Sequence, residues 1–277
     1  MNPLFAAALV NGQPASEIPV ADRGLQYGDG LFETIRVSNG RCRHWMLHLA
    51  RLRRGCEALG IRMPDPELLK TEARRLLASG DFQEVILKLI VTRGSGGRGY
   101  APRNMLPPSR IFSVHPLPRY PAHWFKRGVR ARFCDMRLSR QPRLAGIKHL
   151  NRLEQVLARQ EWGSEFAEGI MLDEQGNVVE GVMSNLFALI DGRLVTPPLE
   201  QCGVAGVVRE WLLRRADALG RDVVEAPLRP EMLLDAEALF LTNSVIGVWQ
   251  VAELGEQNWE VHPLTAPLRE LAASDDG

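Results

Sequence analysis

The sequence predicts an α+β chain of two domains, and three observations carry that expectation. Period-two and period-3.6 apolar patterns mix in both halves of the chain. Tight turns such as Asn11-Gly12 and Asp191-Gly192 join short apolar runs, which favours antiparallel hairpins over a doubly wound parallel sheet. The length, 277 residues, exceeds one average domain, and the Pro-rich run His115-Pro-Leu-Pro-Arg-Tyr-Pro121 interrupts it. The domains are expected at 1–115 and 123–277 with a linker over 116–122, and small-molecule sites favour the cleft such a division creates.

Residues 4–11 read as a strand, followed by a second short strand near Ile18. Phe32 to Val37 is a strand ending at Ser38-Asn39-Gly40. Trp45, Leu49, Leu52, Cys56 and Leu59 recur at helical intervals up to Gly60. A further helix over Asp65 to Ala78 closes at Gly80, and Val85 to Thr92 is a buried strand. The loop Arg93-Gly-Ser-Gly-Gly-Arg-Gly-Tyr100 leads to a strand over Ile111 to Val114. After the Pro-rich run, Val129, Ala131 and Phe133 alternate as in a half-buried strand. A helix is expected from near His149, with Leu150, Leu153, Val156 and Leu157 on one face. Strands over 169–172, 178–181, 186–190 and 194–196 come next, joined by Glu174-Gln-Gly-Asn177 and Asp191-Gly192. A helix over Val207 to Leu219 and a strand over Ala238 to Thr242 complete the second half.

The composition excludes several classes. Thirty-four Lys+Arg against 33 Asp+Glu give a net charge of +1, which argues against a dedicated nucleic-acid partner. No apolar run reaches the roughly 20 residues of a membrane helix, and MNPLFAAALVNG lacks a basic signal-peptide region. Cys42, Cys56, Cys134 and Cys202 have no CxxC spacing and read as reduced thiols, so a cytoplasmic protein is expected. His44 and His48 stand four apart on a helix, but no Glu or third ligand accompanies them, so no metal is expected. Arg93-Gly-Ser-Gly-Gly lacks the Lys-Ser/Thr and helix of a phosphate loop.

Only four of the basic residues are lysines, namely Lys70, Lys88, Lys126 and Lys148. Arginine stays protonated, so chemistry that needs a free amine has four candidates. Lys70 lies among Glu67, Glu72, Arg74 and Arg75 on a charged helix, and Lys126 sits in an exposed turn. Lys88 interrupts an apolar strand and faces either water or a site. Lys148 follows Leu144-Ala-Gly-Ile147, an apolar approach that desolvates an amine. Such an amine is suited to forming a Schiff base.

The string Ala145-Gly-Ile-Lys-His-Leu-Asn-Arg-Leu-Glu-Gln155, with Val179-Glu-Gly181 and Ser184-Asn-Leu-Phe187 after it, resembles the fold-type IV pyridoxal-phosphate enzymes. Those include the branched-chain and D-amino-acid aminotransferases. Tyr27-Gly-Asp-Gly-Leu-Phe-Glu-Thr34, His48-Leu-Ala-Arg-Leu52 and Gly203-Val-Ala-Gly206 resemble the same family in the same order, over residues of about 10 to 250. Within the family, GIKHLNRLEQV and RGSGGRGY are most similar to the aminodeoxychorismate lyases.

The resemblance implies a two-domain fold with pyridoxal 5'-phosphate in the cleft between the domains. It implies β-elimination on 4-amino-4-deoxychorismate, giving 4-aminobenzoate and pyruvate for folate biosynthesis, with an aminotransferase on the same fold as the alternative. Lys148 is then the catalytic lysine that holds the cofactor, and Glu180 the carboxylate that keeps its ring nitrogen protonated. Arg51, the amides of Val207 and Val208, and Asn243 fall at the phosphate positions. Relatives place a threonine in that first helical turn, where Val208 offers only its backbone. Arg98 and Tyr100, on a loop that reaches over the partner's site in similar enzymes, fall with Tyr27 and Thr34 on the substrate side. The implied partners are a second copy of the chain, in a homodimer, and aminodeoxychorismate synthase through functional coupling.

Overall fold

The computed structural model describes residues 7–102 and 107–275. Two compact units organise them, one taking the chain through 118 together with 147–151, the other 119–146 and the chain from 152 onward. Each is an α+β body around its own sheet.

In the first unit, β1 (Ala7–Val10) and β2 (Gln13–Pro14) form a hairpin. They are followed by α1 (Arg23–Tyr27), β3 (Gly30–Ser38), β4 (Arg41–Cys42), α2 (Trp45–Leu59), α3 (Pro66–Leu77), β5 (Val85–Thr92) and β6 (Ser109–Pro116). The described strands make an antiparallel sheet in the order β2-β1-β6-β5-β3-β4. The strand expected near Ile18 does not form, and β2 stops at Pro14. Pro14 and Pro19 withhold the amides a longer ladder would need. Part of the strand expected over 4–11 lies outside the described residues.

Alternation along β3 separates two faces of this sheet. Leu31, Glu33, Ile35 and Val37 are buried, while Phe32, Thr34 and Arg36 point to the other, half-buried face. The buried side receives α2, which contributes Leu49, Leu52 and Cys56, and α3 packs on β1 and β6. α2 ends at Gly60 as the sequence predicts. α3 starts on Asp65, whose carboxylate accepts the Glu67 N–H at 2.9 Å, and is capped at Ala78 rather than Gly80.

The helix expected from His149 does not begin there. Phe32 N–H donates to the Lys148 carbonyl at 2.9 Å, Leu150 N–H donates to the Gly30 carbonyl at 3.0 Å, and Leu31 bridges His149 antiparallel. Residues 148–150 are thus a short added strand on the edge of β3, and backbone engaged in a ladder cannot also close helical turns.

The second unit contains α4 (Ala122–Arg127), β7 (Val129–Leu138), α5 (Leu153–Arg159), β8 (Glu168–Asp173), β9 (Val178–Gly181), β10 (Asn185–Ile190), β11 (Arg193–Thr196), α6 (Val207–Arg214), β12 (Val223–Glu225), α7 (Pro230–Leu234), β13 (Ala238–Asn243), β14 (Gly247–Leu254), β15 (Gln257–Asn258) and α8 (Thr265–Ala273). The described strands run β12-β11-β10-β13-β14-β7-β8-β9, with β15 paired to β14. Most neighbours are antiparallel, but β14–β7, β7–β8 and β11–β12 are parallel. Ile170, Leu239, Leu241, Trp249 and Val251 fill the core, and the Tyr120 ring meets Trp249 edge-on at 4.7 Å. The helix expected to reach Leu219 ends at Arg214 and resumes as a 3-10 turn over Ala216–Leu219. Leu153, Val156 and Leu157 do share a face of α5, but that face is exposed. Among the described residues, no helix is long and apolar enough to cross a membrane.

Candidate active site

Pairing with β3 fixes the backbone from the Lys148 carbonyl to the Leu150 N–H, and the Lys148 side chain lies on the half-buried face of that strand. Its Nζ stands 4.5 Å from the centre of the Phe32 ring. Lys88 Nζ lies 5.5 Å from the same ring, and Lys88 is directly opposite Thr34 in the β3–β5 register. The structure therefore gathers Lys148, Phe32 and Lys88 around one ring, and answers which way Lys88 faces. Asn151 closes the segment, donating through Nδ2 to the Gly28 carbonyl at 3.2 Å. Gly28 ends α1 at φ +63°, and a Cβ there would lie 2.4 Å from Asn151 Oδ1, so glycine is required on both counts.

Arg51 projects from α2 towards the opposite, helix-covered side of β3. Its Nε donates to Glu33 Oε1 at 2.9 Å, Nη2 donates to Glu33 Oε2, and His48 Nδ1 lies 2.6 Å from the same oxygen. All three side chains are buried. Burial opposes the Glu33 charge, but Arg51 and His48 outweigh it and hold the carboxyl down at about 2. Burial also lowers His48, against the pull of Glu33, so the imidazole is neutral at pH 7 and donates to the carboxylate. The histidine pair read from the sequence thus contains one residue committed to a carboxylate.

The loop from Arg93 is anchored rather than loose. Arg93 and Arg23 both donate to Asp29, at 2.7 and 2.8 Å, and Arg93 also caps the end of α2 through the Leu59 and Gly60 carbonyls. Burial disfavours the Asp29 charge, yet the two guanidinium groups hold it below the usual carboxylate range. Arg23 reaches on to the carbonyls of Gly99 and Tyr100, at 2.9 and 3.2 Å. Tyr27 and Tyr100 meet edge-on at 5.6 Å, so two of the four expected substrate residues are together. Arg98 and the Tyr100 side chain are exposed.

In the second unit, Glu180 is buried at the end of β9. Its Oε2 accepts the Val204 N–H at 2.9 Å and faces Asn185 Nδ2 at 3.4 Å, while Asn185 Nδ2 donates to the Val204 carbonyl at 2.8 Å. Gly146, two positions before Lys148, bridges Val204 in parallel. Gly206 then caps α6 without any side-chain hydrogen bond, leaving the first-turn amides to an anion. A Cβ at Gly206 would fall 1.9 Å from Asn185 Oδ1, so the approach of helix and asparagine demands glycine. Asn243 is engaged in the β13–β14 turn. Its Oδ1 accepts from Val245 and Ile246 at 2.8 and 2.9 Å, and its Nδ2 donates to the Met183 carbonyl at 3.0 Å. Thr242, opposite Asn185 in register, has a buried hydroxyl with no hydrogen-bond partner among the described residues.

Sequence reasoning assigned no role to Glu33, Asn185 or Glu168. Glu33 carried a signal, since a carboxylate two residues from Leu31 and Ile35 in a strand must share their buried face. Asn185 and Glu168 carried none beyond their place in apolar runs.

These features define a class. The family of class IV aminotransferases matches residues 30–254, and the chain belongs to that family of pyridoxal-phosphate enzymes. Among its relatives, the aminodeoxychorismate lyase of Vibrio harveyi is 39% identical over 88% of this chain and 89% of its own. A crystal structure of 4-amino-4-deoxychorismate lyase from Pseudomonas aeruginosa matches with TM-score 0.90 and 48% identity, covering 95% of this chain and 97% of that one. A putative branched-chain-amino-acid aminotransferase of Methanocaldococcus jannaschii is 32% identical over 92% of this chain and 90% of its own.

Proposed function

We propose that this chain is a cytoplasmic lyase that converts 4-amino-4-deoxychorismate to 4-aminobenzoate and pyruvate in folate biosynthesis, using the product of aminodeoxychorismate synthase. The observation that carries this reading is Lys148, whose carbonyl is bonded to β3 and whose amine rests on Phe32 beside a second amine, Lys88. The likeness to two lyases over nearly the whole chain favours elimination over transamination.

The residues present fit pyridoxal phosphate. A buried carboxylate, a helix start without a side-chain cap and an unpartnered buried hydroxyl at Thr242 are the donors and acceptors such a group needs. When bound, the cofactor supplies a carbonyl for the substrate amine and a ring that takes up an electron pair. Lys148 would hold the group, and its Nζ is the base placed to take the C4 proton of the substrate. Loss of that proton expels enolpyruvate from C3, the six-membered ring becomes aromatic, and the enol is protonated to pyruvate. Glu180, anchored by the Val204 N–H, would be the carboxylate that pairs with the protonated nitrogen of the group. Arg51, held by Glu33, and the amides of Val207 and Val208 would be the donors for the phosphate, and Asn243 shapes the β13–β14 turn. Lys88 and Arg98 supply cations for a substrate with two carboxylates. Tyr27, Tyr100 and Thr34 complete the substrate side, with Thr34 and Tyr100 the candidates for proton transfer to the leaving group.

A homodimer is part of this reading. Leu153, Val156 and Leu157 expose an apolar stripe on α5 that a second copy covers. Size-exclusion chromatography with light scattering tests it, and a monomer at micromolar concentration contradicts it.

The deciding experiment is product analysis. Purified protein given aminodeoxychorismate should release aminobenzoate and pyruvate in equal amounts without any keto acid. Lys148→Ala should lower turnover on the order of 10³-fold or more with an unchanged melting temperature. Bleaching by D-alanine, L-leucine or L-glutamate that 2-oxoglutarate reverses, with no aminobenzoate formed, would instead establish the aminotransferase.

A further inference from the structure

Glu168 begins β8 and is only 1% exposed, yet the chemistry above does not use it. Its Oε2 accepts the Ser184 Oγ–H at 2.7 Å and the Met183 N–H at 3.2 Å, and Oε1 accepts the Gly169 N–H at 3.0 Å. These donors are all uncharged. Two of them belong to the bend between β9 and β10, which closes on itself when Gly181 N–H donates to the Ser184 carbonyl at 2.7 Å.

Every exit from that bend leads to Glu180, to Asn243 or to a residue that bonds Glu180. Immediately before it stands Glu180. Immediately after it stands Asn185, which bonds the Val204 carbonyl and lies against Glu180. From its middle, the Met183 carbonyl receives the Asn243 amide. One buried carboxyl therefore sits where β9, β10 and the β13–β14 turn are tied together.

We propose that Glu168 is a positioning residue, a clamp on the Gly181–Ser184 bend that holds Glu180 against Val204 and Asn243 in its turn, and so sets how tightly the cofactor is held. This rests on the reading that Glu180 and Asn243 serve the cofactor. The ionisable groups facing Glu168 are Glu180 on β9, Cys134 on β7 and Tyr120 ahead of α4. Burial pushes the Glu168 carboxyl up to about 7, against its three hydrogen bonds and with Glu180 adding to the rise. The clamp thus changes charge in the neutral range.

The test is titration of the apo-protein with pyridoxal phosphate, followed by tryptophan fluorescence from pH 6 to 8. Glu168→Gln keeps an acceptor for Ser184 but sets an NH2 group among donors. It should raise Kd about tenfold, the scale on which groups that orient a ligand's own contacts act. It should also flatten the pH dependence of Kd while the apo-protein still unfolds in a single cooperative transition. Ser184→Ala keeps the carboxyl, removes one bond and should raise Kd severalfold; it decides alone if Glu168→Gln does not fold. Wild-type Kd and wild-type pH dependence in the folded variants would overturn the clamp. Glu180→Gln separates the two readings. Near-normal turnover there overturns the role of Glu180 and the clamp with it, whereas loss of turnover there, with unchanged Kd in the Glu168 and Ser184 variants, overturns the clamp only.

Discussion

Glu33 in the first unit and Glu168 in the second are equally buried, each 1% exposed, and both accept several hydrogen bonds. Glu33 is nevertheless held down at about 2 while Glu168 is pushed up to about 7. Desolvation acts on both in the same direction. The difference lies in the donors, because Glu33 meets the Arg51 guanidinium in two places and Glu168 meets a hydroxyl and two amides. Hydrogen bonds alone do not keep a buried carboxylate charged here; a cation does.

The strongest way to break this comparison is to remove the cation. Arg51→Ala leaves a buried charge with only neutral His48, and should cost about 3–5 kcal/mol of stability at pH 7 by urea unfolding. A loss under 1 kcal/mol would mean that the Glu33 charge does not depend on Arg51.

A smaller effect comes from pH, and its sign differs between the two glutamates. The depressed carboxyl of Glu33 stabilises the fold above about 4.5, and that contribution disappears as pH falls towards 2. The raised carboxyl of Glu168 costs nothing below about 4.5, and its penalty builds as pH rises from there to about 7, above which it is complete. Going from pH 5 to pH 8, Glu168→Gln should therefore gain on wild type by about 2.5 kcal/mol in urea unfolding, most of it before pH 7. A parallel pair of stability curves would refute the assignment. The smallest effect is His48→Asn, which removes a neutral donor and should cost about 1 kcal/mol. A larger loss would show that the imidazole, and not Arg51 alone, maintains the Glu33 charge.

The legible parts of the fold are those whose pattern is local. The turn after Val37 and the apolar run Val85–Val91 made β3 and β5 readable, the 3–4 spacing of Leu49, Leu52 and Cys56 made α2 readable, and Asp191-Gly192 marked the β10–β11 hairpin. The short α1 gave too few residues for a period. β14 and α8 went unread although Gly247–Leu254 and Thr265–Ala273 are regular. The parallel pairing of β7 with β8 and β14 depends on neighbours distant in sequence, which no window contains. The same division holds in the candidate site. Lys148 and Glu180 stand out as a lysine after an apolar run and a carboxylate in a recurring string. Glu168 and Asn185 matter through side chains brought near by other strands. The error at His149 has this origin too, since Leu150, Leu153, Val156 and Leu157 satisfy a helical period while the backbone of 148–150 answers to β3.

That added strand also orders events during synthesis. The first sheet can assemble from residues up to 116, but the Phe32 N–H and the Gly30 carbonyl wait for residues 148–150 to leave the ribosome. Until then a nascent chain shows an open edge at the start of β3, the kind of edge on which other chains add. A truncated product ending before residue 147 would keep that edge permanently, so it should form open-ended aggregates larger than any dimer of the full chain. The segment that carries Lys148 is, in this sense, also the stopper that finishes the first sheet.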